Sequence, residues 1–443
     1  MKPKKQNKEI RFFSDSSKVL QEQTIHPDKN GIFDLSFLVP TGDLAKDKDH
    51  WKTLFSQDAT LIDREFTGGK GRLHCCAFFF DGMVKSDIIY DSIIRPIVTC
   101  VRGEWFCASD VCSEILFAAD AKTESDPAKL TESLLSGDTL LFIDGFREAI
   151  IVSSKGFPQR SVEEPGGETA LLGPREGFTE SLLMNVAMLR RKLKTPDLKI
   201  VSRTFGSRSN TKAFLCYLDS LIDPSVLDEL QRRLDKVCID GVLDVNYLLE
   251  IIGDGKYTLF RTIGTTEKPD SVAAKLLEGR IALILDGTPV VLTVPYLFVE
   301  NFQSQDDYYM NYFFASIGRL IRHFSFFLTI SIPAIYVALV AFHKEMISSK
   351  LALSIAIARD GVPFPLVVEC VLMLAIFEIL REASTRMPNN VGQTIGIVGA
   401  LVVGQAAVEA KFVSAPMLIV VAFAGITGLM SPKLKAPIIA CRF

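Results

Sequence analysis

The chain has 443 residues, of which 48% are hydrophobic and 23% charged, with a formal net charge of −3 and a mean hydropathy of +0.25. A charge so close to zero gives no electrostatic case for nucleic acid, and the hydropathy is high for a soluble protein of this size. The average hides a division: up to about residue 318 charged and apolar residues mix as they do in globular domains, and beyond it charges become sparse and apolar runs long.

The N-terminal MKPKKQNKEIRFF is basic and polar with no apolar core, so it does not read as a signal peptide, and the first part of the chain is expected in the cytosol. Residues 1–50 are taken as an N-terminal extension. Residues 60–81, TLIDREFTGGKGRLHCCAFFFD, predict two strands joined at Gly68, Gly69 and Gly71, and residues 198–219, LKIVSRTFGSRSNTKAFLCYLD, repeat the plan. Arg64 and Phe66 answer to Arg203 and Phe205, and Asp81 to Asp219, at an offset of roughly 138 to 139 residues. A helix follows each copy, DIIYDSIIRPI in the first and DPSVLDELQRRLDKV in the second, where Asp223 suits the N-cap and Pro224 the first helical position. LLSGDTLLFIDGFREAIIV and LLEGRIALILDGTPVVLTV then each predict a helix ending at a glycine (Gly137, Gly279) and two strands flanking Asp144-Gly145 or Asp286-Gly287. Two α/β domains of one ancestry are therefore expected, over 51–154 and 181–300. Between them 155–180 is rich in Gly, Pro and charge and reads as a linker, followed by an amphipathic helix that ends in Arg190, Arg191, Lys192 and Lys194.

The last third reads as membrane sequence. Residues 301–323 are expected to form an interfacial helix with aromatics at Tyr308, Tyr309, Tyr312, Phe313 and Phe314. About four transmembrane helices are expected over 324–430: Phe324–Phe342 with Pro333 at its middle, then about 364–383, 391–408 and 412–430, before a basic tail at 431–443. Pro333, Pro363 and Pro365 are candidate kinks. Gly392, Gly396, Ala400 and Gly404 recur at steps of four, a small-residue ridge on which another helix can pack. The placement of Arg and Lys around the spans puts both ends inside.

The second span, in GVPFPLVVECVLMLAIFEILREA, carries Glu369 and Glu378. A charge at mid-bilayer costs roughly 2.5 to 3.5 kcal/mol on insertion scales, so something must compensate both. Nine residues apart, they lie about half a turn out of phase and cannot both face one lumen of a straight helix. Glu369, Glu378, Arg381, Glu382, Gln393, Gln405 and Glu409 are the candidates for an ion path or a polar intramembrane cluster.

Enzymatic signatures are missing. TGGKGR has no glycine five positions before Gly69 and no Ser or Thr after Lys70, so it is not a phosphate loop, and no GxSxG, HExxH or kinase set appears. The nine cysteines, without a CxxC pair, and the five dispersed histidines predict reduced thiols and neither metal nor cofactor. The reading is that the chain is not an enzyme.

Four strings, QRSVEEPGGETALLGPREGFTESLLMNVAMLRRKLKTPDLK, LLEGRIALILDGTPVVLTVPYLFVENFQSQDDYY, IARDGVPFPLVVECVLMLAIFEILREASTRMP and VGQTIGIVGALVVGQAAVEAKFVSAPMLIVVA, closely resemble the A subunits of spore germinant receptors, the GerA family, and the likeness runs from about residue 60 to about 430. The resemblance implies a multi-pass protein of the inner spore membrane whose soluble domains are cytosolic. It implies partners, a transporter-like B subunit and a lipoprotein C subunit, and a homo-oligomer in contact with membrane lipid that forms or contributes to a ligand-gated monovalent cation channel. The family also includes an amplifying channel paralogue of late sporulation. After AGITGL its members continue with further membrane sequence where this chain has SPKLKAPIIACRF, so a truncated or altered C-terminus, and with it a non-conducting subunit or scaffold, is a further expectation. A secondary transporter would carry an inverted repeat in the membrane half, whereas the duplication here lies in the soluble half.

Overall fold

The computed structural model describes residues 33–100, 107–118, 120–156, 172–255, 258, 260–386 and 402–430. The chain divides into two compact units, one holding both predicted repeats and a second made of the chain from Leu297 onward with the short pieces Leu171–Gly173 and Tyr257–Arg261.

The first unit contains two five-stranded sheets of the same order. In one, β1 (Leu61–Gly68), β2 (Leu73–Phe80), β3 (Ala121–Glu124), β4 (Thr139–Ile143) and β5 (Ala149–Val152) run β1-β2-β4-β5-β3. In the other, β6 (Leu198–Phe205), β7 (Thr211–Leu218), β8 (Gly264–Thr266), β9 (Ile281–Leu285) and β10 (Val291–Val294) run β6-β7-β9-β10-β8. Every pairing is antiparallel. The expected layering of helices on sheet is present, but the connectivity is that of antiparallel sheets with helices packed on both faces, not of a parallel α/β fold.

Central strands buried on both faces explain the apolar runs that the sequence shows. Along β2 the alternation sends Cys76, Phe78 and Phe80 to a core with Trp51 and Leu134. Cys75, Ala77 and Phe79 go to another with Ile93 and Val111. In the second sheet Phe214 and Cys216 face Leu189 and Leu276, while Ala213 and Leu215 face Leu230 and Leu248.

The duplication extends to individual hydrogen bonds and reaches further upstream than position 51. Helix α1 (Leu44–Leu54) precedes the first sheet as the helix Leu182–Lys192 precedes the second. Thr41 N–H donates to Asp47 Oδ1 (2.9 Å), and Thr179 N–H to Asn185 Oδ1 (2.7 Å). The Asp-Gly loops turn out to cap these helices: Asp144 Oδ1 accepts from Leu44 N and Asp286 Oδ1 from Leu182 N, each at 3.3 Å. Gly145 N donates to Gly42 O and Gly287 N to Glu180 O, each at 2.9 Å. Leu38 and Trp51 belong to the first core, and Phe178, inside the predicted linker, belongs to the second.

In the second unit, helix Tyr312–Val337 continues through a wider π turn at Ala338–Phe342. With no breaker between 323 and 324, the expected interfacial helix and first span form a single helix that runs through Pro333. Helices Ser349–Ala358, Leu366–Arg386, 402–409 and Ala415–Leu429 follow. Pro363 and Pro365 stand before Leu366–Arg386 rather than kinking it, and Pro365 O accepts the amide of Glu369 (3.0 Å) in its first turn. Among the described residues one helix, Tyr312–Phe342, is long and apolar enough to cross a membrane, while Ser349–Ala358 and Ala415–Leu429 are shorter apolar helices.

Candidate functional site

In the second unit three helix ends meet at one carboxylate. Glu369 lies in the first turn of Leu366–Arg386, where the positive end of that helix favours an anion. Ser414 is the N-cap of Ala415–Leu429, and both its N–H and its hydroxyl donate to Glu369 Oε1 at 2.6 Å. Arg359 is the C-cap of Ser349–Ala358, a position that suits a cation, and its Nε stands 3.6 Å from Glu369 Oε2. The Glu369 side chain is 0% exposed, set among Leu366, Cys370, Met373, Val413 and Met417.

This arrangement answers how an apolar stretch tolerates the glutamate. Removing an ionised carboxylate from water costs several kcal/mol, and a single buried ion pair seldom recovers that. Here two charge-assisted hydrogen bonds and the positive ends of two helices add to the guanidinium. Glu369 is thus a protein-enclosed member of a polar cluster.

Glu378 does not join it. It pairs with Arg381 one turn on, both side chains nearly buried at 12% and 11% exposure. Glu382, next to Arg381 in sequence, is exposed. Gln405 donates to Glu409 (2.9 Å) on an exposed face of helix 402–409. Gln393, Gly392, Gly396 and Ala400 lie outside the described residues. Gly404 faces Leu418, whose Cδ1 stands 3.3 Å from where a Cβ would be.

Several packing residues escape a sequence reading. A Cβ at Gly425 would lie 2.4 Å from Phe377 Cζ, so this glycine forms the notch that admits the Phe377 ring. Thr329 donates to Thr427 across a buried helix pair (2.8 Å). Ser414 had a legible signal, a serine two residues before Pro416 at the head of an apolar run. Arg319 and Arg322, which by position look like flanking charges of a span, both bind Asp307 (Arg319 Nε to Oδ2 3.1 Å, Arg322 NH2 to Oδ1 2.6 Å). Burial pushes the Asp307 carboxyl up, but the hydrogen bonds from Arg322 and Arg319 outweigh it and hold the group below its ordinary value. His323 stacks on Phe302 beside them, with ring centroids 4.0 Å apart.

The first unit has its own buried charge centre, between the two repeats. Arg190 ion-pairs with Asp58, each side chain 1% exposed, and its guanidinium lies 3.9 Å from the Phe80 ring centroid. Ile200 N donates to Gln57 O (3.2 Å) and Ala59 N to Ile200 O (2.9 Å), continuing the junction through the backbone. Lys199, buried nearby, has its ammonium pKa pushed down by burial.

Duplicated antiparallel sheet units followed by a helical part with a membrane-length helix define the class of protein. The family model described as Bacillus/Clostridium GerA spore germination protein matches residues 49–443, and the chain belongs to that family. It is 41% identical over 399 residues to spore germination protein KA of Bacillus subtilis (strain 168), covering 90% of this chain and 73% of that protein. It is 40% identical over 380 residues to the uncharacterized membrane protein YfkQ of the same strain (85% and 74% covered). To spore germination protein GerLA of Bacillus cereus it is 36% identical over 376 residues (85% and 76%). The crystal structure of the N-terminal domain of the A subunit of the Bacillus megaterium spore germinant receptor GerK3 is similar to 58% of this chain and 96% of its own, at 28% identity and a TM-score of 0.44.

Proposed function

We propose that this spore germination protein is the A subunit of a nutrient-germinant receptor and contributes to a ligand-gated monovalent cation channel in the inner spore membrane. On this reading the duplicated sheets lie in the cytosol, the helical part crosses the membrane several times, and copies of the chain assemble with each other and with a transporter-like B subunit and a lipoprotein C subunit. The protein catalyses no reaction; it opens a path for ions.

The observation that carries the reading is the Glu369 cluster. A chain that only needed an anchor has no use for an enclosed carboxylate bound by three helix ends, whereas a gate needs helix ends held together by interactions that can be exchanged. The test is reconstitution of the full chain with B and C subunits in potassium-loaded vesicles. Nutrient-dependent release of potassium is expected, and Glu369→Gln should reduce it at normal abundance and assembly. Release that is independent of this chain would overturn the proposal. Labelling of the exposed Cys238 should succeed only from the cytosolic face.

A further inference from the structure

Beyond the direct link at 296–297, two short pieces, Leu171–Gly173 and Tyr257–Arg261, belong to the second unit although the chain on either side of each belongs to the first. Both are held by residues just before the long helix Tyr312–Val337. Leu172 N donates to Asp306 Oδ1 (3.3 Å), and Gly173, with φ +92°, lies so close to Tyr309 that a Cβ there would stand 2.6 Å from the ring. Phe260 packs edge-on against Phe298, with ring centroids 5.1 Å apart.

The residues that receive these pieces are bonded in turn to the helix. Asp306 and Asp307 are neighbours in the 3-10 turn Gln305–Tyr308. While Asp306 takes Leu172, the buried Asp307 carboxylate caps that turn by accepting from Ser304 N (3.1 Å) and also accepts from Arg319 Nε (3.1 Å) and Arg322 NH2 (2.6 Å) of the helix. Charge-assisted bonds from two arginines to one carboxylate fix the turn to the helix. The second route is aromatic. Phe298 packs on Phe302 (5.4 Å), and Phe302, itself buried, packs on His323 (4.0 Å) and Phe326 (5.6 Å) of the helix. Both routes end within residues 319–326, about two helical turns.

We propose that these contacts form a coupling joint, through which movement of the chain at 172–173 or at 260 is passed to the start of the membrane-length helix. A single covalent link acts as a swivel, because rotation about its backbone bonds lets the parts move independently. Two further ties remove that freedom. Segment 172–173 lies between the two sheet repeats in sequence, and Phe260 lies within the second, between helix Val245–Ile252 and β8. Each pulls on a turn that cannot move without carrying Arg319 and Arg322, or on a ring stack that ends on His323 and Phe326. Packed side chains and hydrogen-bond networks of this kind carry coupling.

Hydrogen exchange of the full chain in lipid nanodiscs tests the joint without measuring ion flux. Asp306→Ala removes the acceptor of Leu172 N but leaves the Asp307 carboxylate in place, and Gly173→Ala pushes on the Tyr309 ring. Each should raise exchange in residues 315–323 by about threefold to tenfold, the change that losing one hydrogen bond makes in an opening equilibrium, while the β1–β2 hairpin keeps its protection. Coupling is reciprocal, so Arg322→Gln should raise exchange at residues 172–175. A rise confined to residues 171–175 and 304–310 in the first two variants, or unchanged exchange at 172–175 in Arg322→Gln, would overturn the joint. If Gly173→Ala also loses protection in β1–β2, the other two variants decide.

Discussion

Helix α1 and the helix Leu182–Lys192 occupy the same place in the two repeats, yet the corresponding residues Lys52 and Arg190 have opposite surroundings. Lys52 is half exposed and reaches Asp63 of its own repeat at 2.9 Å. Arg190 is buried against Asp58 and Phe80, which belong to the other repeat. The bonds that build each repeat are shared, from the Asp144 and Asp286 caps to the Thr41 and Thr179 turns. Difference concentrates where the copies meet, because only one of two equivalent faces can lie in the junction. The guanidinium also suits that position better than an ammonium, being less strongly hydrated and planar enough to stack on a ring.

The sharpest test removes that distinction. Arg190→Met leaves the Asp58 carboxylate buried without its cation and should destabilise the first unit by about 3 to 5 kcal/mol, whereas Lys52→Met should cost less than about 1 kcal/mol. Denaturant unfolding of the full chain in detergent, followed by hydrogen exchange of peptides from the two sheets, measures both. Adding Asp58→Leu to Arg190→Met should recover most of the loss. Equal effects at positions 52 and 190 would dissolve the asymmetry.

Gly137 and Gly279 end equivalent helices, and both have positive φ (93° and 79°). The left-handed conformation alone costs a side chain about 1 to 2 kcal/mol. At Gly279 a Cβ would also lie 2.4 Å from the Leu221 carbonyl oxygen, against 3.3 Å from Met83 O at Gly137. Gly279→Ala should therefore destabilise by more than about 2 kcal/mol and Gly137→Ala by about 1 to 2 kcal/mol, read as a difference in unfolding midpoint.

How much of this was legible depends on the range of the interaction. Hairpins announced themselves through Gly68 to Gly71 and through Asp144-Gly145, because turn chemistry is local. The Asp side chains' second task, capping a helix about a hundred residues earlier, is invisible to a local reading. So is the common strand order, which the duplication could say was shared but not what it was. Helix α1 went unrecognised because Trp51 stands where the second copy has Leu189; the spacing of Thr41 and Leu44 against Thr179 and Leu182 was the available clue. In the helical unit, composition made the Glu369 problem plain. Its solution came from Ser414, 45 residues on, and from Arg359 on a different helix, and no period in the sequence links them.

Smaller in effect is the shared cap. Asp144→Ala and Asp286→Ala each free a helix N–H at the same 3.3 Å bond, so the two should cost the same, about 1 kcal/mol each. A clear inequality, measured as unfolding midpoints of the single variants, would mean that the copies have diverged within their cores as well as at their junction.

The smallest difference is electrostatic and concerns the leading hairpins. Burial raises the Asp63 carboxyl, but hydrogen bonds from Lys52 and Lys48 outweigh it and hold the group below its ordinary value. The equivalent position in the second repeat, by the register of Arg64 on Arg203, is Ser202, which does not titrate. A carboxyl with a lowered folded pKa stabilises the fold fully above its unfolded value near 3.9, and that contribution is lost as pH falls through the folded value. Below about pH 4 the β1–β2 hairpin should therefore lose protection before β6–β7, modestly, since Lys52 is half exposed. Hydrogen exchange of the two hairpins, normalised to intrinsic rates at each pH, reads the effect, and Asp63→Asn should abolish the difference in pH response. Parallel loosening of both hairpins, unchanged by Asp63→Asn, would show that acid acts through groups common to the two copies and not through the pair that distinguishes them.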